Sequence, residues 1–307
     1  MRRFAFLIPL LCLALLAFLI AKAGPETVVE TILGASPVYL IPALLLVQVQ
    51  IVLSAIRWRF TAACLGQRIP LATATGEYYL ASLVNMTMPG GMAGDALRAY
   101  RMREEGRGGW KAPAKAVVME RVSGQLAFFA VAAAGFLTWP LVFGRHLPDG
   151  APGPGLIMIV LAALLLLAGA VATRFMGTDR LKALGRDISS TFLKGPAPLI
   201  QAGLSLLVVA SYFATFMLAS AAIGAPLQLS AAITVIPLCL LAMLIPAGLG
   251  GWGTREATAA ALWPLIGFSA AEGLSASLLY GAICVIGALP GLVVALRGLA
   301  VARPGRA

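Results

Sequence analysis

Histidine is almost missing from this sequence. His146 is the only one in 307 residues, which excludes most His-based acid–base and nucleophilic mechanisms and any His-rich metal centre. The four cysteines, Cys12, Cys64, Cys239 and Cys284, are dispersed and mostly embedded in apolar runs. They form neither a disulfide framework nor a zinc-type spacing. Charge is scarce as well: charged residues make up 11% of the chain, against about 25% in a soluble domain. Acids are the scarcer sign, 12 Asp and Glu against 23 Lys and Arg. No G-x-x-x-x-G-K-[ST] segment occurs, so a P-loop ATP motor is excluded. No cofactor and no metal are expected.

What remains is hydrophobic. Apolar residues are 60% of the chain and its mean hydropathy is +0.93. The apolar runs are long and unbroken, which points to membrane helices rather than the short alternating strands of a barrel. The expected class is an all-α polytopic membrane protein forming one membrane domain over residues 1–307. A net charge of +11 could suggest nucleic acid. The basic residues, however, sit between apolar spans, where the positive-inside rule places them.

Taken in order, residues 4–21 read as an uncleaved first span, with Arg2 and Arg3 cytoplasmic. A loop with Lys22, Glu26 and Glu30 reads as outside. Residues 38–56 are a second span ending on Arg57-Trp58-Arg59, an expected anchor at the cytoplasmic face. Residues 71–88 are apolar but carry Glu77, Tyr78, Tyr79 and Asn85, and both flanks are basic. A re-entrant hairpin turning near Pro89-Gly90-Gly91 keeps both flanks in the cytoplasm; two half-length crossings would do the same. Residues 116–139 and 156–173 are further spans, 174–194 a basic cytoplasmic linker, and 199–223 another span. Residues 229–268 must begin and end outside, which gives a second hairpin from the opposite face. Residues 274–296 are the last span. About six full spans and two hairpins result. The topology puts every Lys and Arg except Lys22, Arg145 and Arg255 at or near the cytoplasmic side, with both termini inside.

The hairpins share a pattern. Pro89-Gly-Gly-Met-Ala-Gly-Asp-Ala-Leu-Arg98 aligns without gaps to Pro246-Ala-Gly-Leu-Gly-Gly-Trp-Gly-Thr-Arg255. The turn positions are Pro89, Gly90, Gly91 and Gly94 in one and Pro246, Gly248, Gly250 and Gly251 in the other. Repeat halves 38–139 and 199–296 would have opposite topology, with 4–21 and 156–173 as extra spans. Inverted repeats with interrupted segments in matching positions mark transporters, with the site near the midplane.

A charge at the bilayer centre costs about 2.5–3.5 kcal/mol on insertion scales, so the few inside apolar segments need a reason. The candidates are Glu77, Asp95, Arg98, Glu120, Arg121, Arg255 and Glu256. Neighbours in sequence diverge around a helix, so Arg121 is not expected to face Glu120, nor Arg255 to face Glu256. Each then needs a partner from another segment or from a ligand, and the arginine fork suits phosphate. Two readings stay open. The charges close the hairpins as ion pairs, for example Arg98 with Glu104 or Arg121 with Asp95. Alternatively they hold an anionic head group, with Arg255 favoured for that role and Arg98 expected to snorkel to the interface. Arg101, Arg103 and Arg107 read as a solvated basic edge, and Tyr78, Tyr79 and Trp252 as interfacial aromatics.

These residues carry a family resemblance. Asn85-Met-Thr-Met-Pro-Gly-Gly with Arg98-Ala-Tyr100, then Glu120-Arg121, then Ile245-Pro-Ala-Gly-Leu-Gly-Gly-Trp-Gly-Thr-Arg-Glu256 resemble the flippase-like family, also called the lysylphosphatidylglycerol synthase transmembrane-region or UPF0104 family. The resemblance covers nearly the whole chain. It implies an inner (cytoplasmic) membrane bundle that moves lipids between leaflets or helps modify or export them. In the full synthases a soluble aminoacyltransferase domain follows the bundle; this sequence ends at Ala307, so lysyl transfer is not expected of it. The expected function is a flippase or scramblase for an anionic, phosphate-bearing lipid, aminoacylated or glycosylated forms included. Arg255, Glu256, Arg121, Glu120 and Arg98 are its candidate head-group residues. The alternatives are a non-transporting partner that presents lipid to a separate lipid-modifying enzyme, and an intramembrane lipid-modifying enzyme using a pair such as Glu120 and Glu256.

Overall fold

The computed structural model describes residues 4–103, 109–137, 139, 174, 177–244 and 250–301. Among them every regular element is helical. The expected span 156–173, the loop with Arg145 and His146, and the turn residues Pro246 and Gly248 lie outside the described residues.

Helix α1 (Phe4–Ala23) meets α2 (Pro25–Leu33) at 89°. Gly24 makes the corner with φ 88°, and Pro25 takes the first helical position, where its missing N–H costs nothing. The segment carrying Glu26 and Glu30 is therefore a helix rather than a loop, with Val28 buried. Helix α3 (Pro37–Cys64) does not end at Ile56 as the hydropathy suggests. It continues through Arg57-Trp58-Arg59, and Arg57 and Trp58 turn inward. The interfacial anchor expected there is corrected: Arg57 is 3% exposed and Trp58 is fully buried. The reason is phase. Gln50, Ser54, Arg57 and Thr61 recur at the helical spacing and form one polar stripe on the buried face.

Helices α4 (Leu71–Thr87) and α5 (Ala93–Arg101) pack against each other across a turn at Gly90 and Gly91, both with positive φ. They approach so closely that a Cβ on Gly94 would overlap the Ala81 carbonyl. Helix α6 (Lys111–Leu137) follows. The basic linker then contains a short helix, α7 (Thr178–Ile188), tied to α6 by Lys115 Nζ and Asp187 Oδ2 at 2.7 Å. A π-helical turn, Ser189–Leu193, leads into α8 (Ala197–Ala222). Helices α9 (Leu229–Ala242) and α10 (Thr254–Leu262) form the second packed pair, and α11 (Ala270–Ala288) runs into α12 (Pro290–Val301).

Among the described residues four helical runs are long and apolar enough to cross a membrane: α3, α6, α8 and the run Ala270–Arg297. A fifth results if bent α1–α2 is one span. Helices α3 and α8 lie along each other at the centre. Each short pair packs on the far half of the chain, α4 against α12 and α9 against α6. The core holds Phe216, its ring 4.8 Å from Tyr280 and 5.6 Å from Trp263. Outward faces stay greasy: Val38, Ile41, Leu45 and Val49 on α3, and Val118, Val122 and Leu126 on α6, are exposed at helical spacing. That is a surface suited to acyl chains, not water.

Candidate functional site

Three helices bring opposite charges together inside this apolar bundle. Helix α3 supplies Arg57, α5 supplies Asp95 and Arg98, and α6 supplies Glu120 and Arg121. The five join as an alternating chain. Arg121 Nη2 lies 2.7 Å from Asp95 Oδ2. Arg98 Nη2 lies 3.0 Å from Asp95 Oδ1 and 2.7 Å from Glu120 Oε2. Arg57 donates to Glu120 Oε1 through Nη2 and, at 3.1 Å, through Nε. The Tyr78 hydroxyl donates to the same oxygen at 3.2 Å. The Arg98 guanidinium lies between two rings, 4.7 Å from Trp58 and 4.5 Å from Tyr78, where the cation meets the π faces.

A second polar chain orients Arg57. Its Nη1 donates to Ser205 Oγ at 3.2 Å, and the Ser205 and Ser123 hydroxyls lie 2.9 Å apart. Ser123 donates to Gln201 Oε1, and Gln201 Nε2 donates to Thr61 Oγ1, both at 2.9 Å. Gly124 leaves room for the guanidinium: a Cβ there would stand 3.0 Å from Arg57 Nη1 and Nη2.

The charges of the five-membered chain do not cancel. Three guanidinium groups face two carboxylates, leaving one positive charge, and both ends of the chain are arginines. Both ends, Arg57 and Arg121, line one cavity of about 250 Å³. Gln50, Tyr78, Asn85 and Gln125 add polar lining, and Val47, Ile51, Phe128 and Leu240 apolar lining. The turns of both short helix pairs close on it. Gly91 and Gly250 both line the cavity and lie near each other: a Cβ on Gly91 would stand 4.0 Å from Gly250 Cα. Arg121 Nε, Gln50 Oε1 and Gln125 Oε1 are buried with no hydrogen-bond partner among the described residues.

The profile of the lysylphosphatidylglycerol synthase transmembrane region matches residues 4–291. The chain belongs to that family. It is a multi-pass, membrane-spanning protein, as the long apolar helices require. A comparison with curated proteins finds no match.

In this member of the synthase transmembrane-region family, the segments that carry the resemblance fall into two clusters. The first is the cavity cluster, with Asn85, Arg98, Glu120 and Arg121. The second surrounds Arg255 and is complete in itself. Arg255 Nη2 lies 2.5 Å from Glu256 Oε1, and Nε 3.0 Å from it. Ser277 accepts from Arg255 Nε through Oγ at 2.9 Å and from Nη2 through its carbonyl at 3.1 Å. Glu256 Oε2 accepts the Gly253 N–H at 2.6 Å.

The expected divergence of Arg255 and Glu256 is thus corrected. It holds for a helix interior, but these residues sit in the first turn of α10, where Glu256 folds back to cap the helix. Arg255 is fully buried, neutralised by its neighbour, and separated from the cavity by Tyr280, which lines the cavity and lies 5.0 Å from the guanidinium. Glu120 and Glu256 stand in different clusters, each held by arginine.

Other expectations shift too. Arg98 is 1% exposed and does not snorkel. It pairs with Asp95 and Glu120, and Glu104 lies outside the described residues. Arg101 stays exposed, as expected of the solvated edge, and also binds Glu77, its Nε 2.9 Å from both carboxylate oxygens. Tyr78 is buried rather than interfacial. Trp252 lies 5.2 Å from Arg255, so the aligned arginines Arg98 and Arg255 each have a Trp, a Tyr and a Glu for company. Arg57 is the residue that sequence reasoning missed; its polar phase on α3 was the available signal. Among the described residues no group of three His, Cys, Asp or Glu could hold a metal ion.

Proposed function

We propose that the protein passes an anionic, phosphate-bearing lipid between leaflets of the cytoplasmic membrane, with the head group in the cavity and the tails in the bilayer. The observation that carries this reading is the buried charge chain with a surplus of one positive charge and an arginine at each end facing the cavity. An uncompensated charge in a low-dielectric interior is costly, and an anion with oxygens for the arginine forks offsets it. The volume, about 250 Å³, falls just below the range of small-molecule sites, about 300–1,000 Å³, which suits a head group and not a whole lipid. The reading involves binding and passage, without covalent chemistry. With no nucleotide motif, movement is downhill or driven by ions or potential; one charge crossing 100 mV is worth about 2.3 kcal/mol.

The weight moves from Arg255 to Arg121. Reconstituted into vesicles, wild-type protein is expected to expose fluorescently labelled phosphatidylglycerol to an external quencher. Arg121→Ala is expected to slow that exposure at least about tenfold, the loss of one charge-assisted contact of about 1.5–3 kcal/mol. Equal rates for the two proteins sink the assignment.

The packing also supports an inverted repeat with two re-entrant hairpins. Equivalent helices α3 and α8 pair at the centre, each hairpin packs on the opposite half, and Gly250 of the second turn abuts the end of α4 at Asn85 and Met86. Introduced cysteines test the first hairpin. Arg68→Cys and Arg103→Cys are expected to react with an impermeant thiol reagent from the same, cytoplasmic side. Labelling from opposite sides makes 71–101 a crossing.

A further inference from the structure

Arg121 is already occupied, and by a carboxylate that belongs to the protein. Asp95 holds only its Nη2, through Oδ1 at 2.9 Å and Oδ2 at 2.7 Å, while Nε has no partner among the described residues. The two ends of this pair differ in setting. The Asp95 side chain is 7% exposed and the Arg121 side chain 36% exposed, with Arg121 lining the cavity. Asp95 also has a second cation to fall back on, Arg98 Nη2 at 3.0 Å on the same helix turn. A carboxylate between two guanidiniums can leave one and remain paired with the other.

We propose that Asp95 is an internal counter-anion: it stands where a head-group phosphate would pair with Arg121, and withdraws toward Arg98 when the lipid binds. The proposal rests on the lipid-passage reading above and adds a mechanism to it. Asp95 is then a positioning residue that weakens binding. With the carboxylate in place the lipid must compete for Arg121, so the head group never binds so tightly that release becomes slow. A site that binds its cargo and then frees it needs such a competitor, since tight binding alone traps the cargo.

The test uses full-length protein in detergent, titrated with phosphatidylglycerol, with phosphatidylcholine and inorganic phosphate as separate arms, and reads intrinsic tryptophan fluorescence. Asp95→Asn is expected to bind phosphatidylglycerol about tenfold tighter than wild type, within the usual range for coupled binding. Adding Arg121→Ala to Asp95→Asn should erase that gain. Glu77→Gln adds the same charge, but its carboxylate pairs with Arg101 and not with Arg121. It is expected to leave the affinity unchanged, so an equal gain there reduces the effect to a general field and overturns the proposal. Unchanged or weaker binding in Asp95→Asn overturns it too. Asp95→Ser is neutral and shorter and carries the same expectation. If both neutral variants fail to fold, Asp95 is a structural tie and not a displaceable anion.

The arms separate the two levels of inference. Wild-type protein that prefers phosphatidylglycerol over phosphatidylcholine, with no change in Asp95→Asn, defeats only the counter-anion. No preference in any protein defeats the lipid-passage reading. Tightening for inorganic phosphate to the same degree as for the lipid keeps the counter-anion and makes the site one for free phosphate.

Discussion

Replacing Glu120 by Gln is expected to lower Tm in detergent by on the order of 10 °C, the equivalent of about 3–5 kcal/mol in a chain of this size. The carboxylate serves Arg57, Arg98 and the Tyr78 hydroxyl at once and is fully buried. Glutamine keeps the shape but removes the charge, so two buried guanidiniums lose their shared counter-ion. Breaking one side of a buried pair is the expensive case, whereas removing both partners is often tolerated. Arg57→Met added to Glu120→Gln is therefore expected to recover part of the loss, because it returns the cluster to its original surplus of one positive charge. A double-mutant cycle on thermal unfolding measures that coupling. A single Glu120→Gln variant as stable as wild type would falsify the account of the cluster.

The same cluster explains what could and could not be read from the sequence. Glu120, Arg121, Asp95 and Arg98 were visible because charge is rare here and each interrupts an apolar segment. The Gly-rich turns were visible because two stretches share a register, Pro89 to Arg98 and Pro246 to Arg255. Partnership was less legible. Arg57 was hidden by its place beside Trp58 and Arg59 at the end of an apolar run, where hydropathy suggests an anchor. Only the phase of Gln50, Ser54, Arg57 and Thr61 says that the helix continues and points them inward. The Arg255–Glu256 contact was hidden because helical periodicity describes a helix interior, and these residues start a helix. That pairing removes Arg255's need for an outside anion. It is why the surplus charge, and with it the proposed head-group site, falls on Arg57 and Arg121. Helix α7, inside the basic linker, has no buried residue.

The second large effect concerns the place where the two turns meet. Gly250 has φ +54°, and a Cβ built on it would stand 2.6 Å from the Met86 carbonyl oxygen, 2.7 Å from Met86 Cα and 2.8 Å from the Asn85 carbonyl oxygen. All three are backbone atoms of α4's last turn, so no side chain can rotate out of the way. Gly250→Ala then carries two costs. Left-handed backbone costs a residue with a Cβ about 1–2 kcal/mol, and forced overpacking adds about 1–3 kcal/mol. Gly90→Ala separates them: Gly90 has φ +82° and open space around its Cβ direction, so it bears the backbone cost alone. Gly250→Ala is expected to lose the most stability and to slow lipid exposure in vesicles, since pushing the turns apart displaces Met86 and Asn85 from the cavity wall. Gly90→Ala is expected to keep most of that rate. If the two variants lose equal stability and equal rate, the turns do not bear on each other and the cavity between them has some other floor. If they differ as argued, two short Gly-rich segments separated by more than 150 residues act as one structural joint, in which Gly250 is required by the backbone it meets as well as by the bend it makes, and Gly90 by its bend alone.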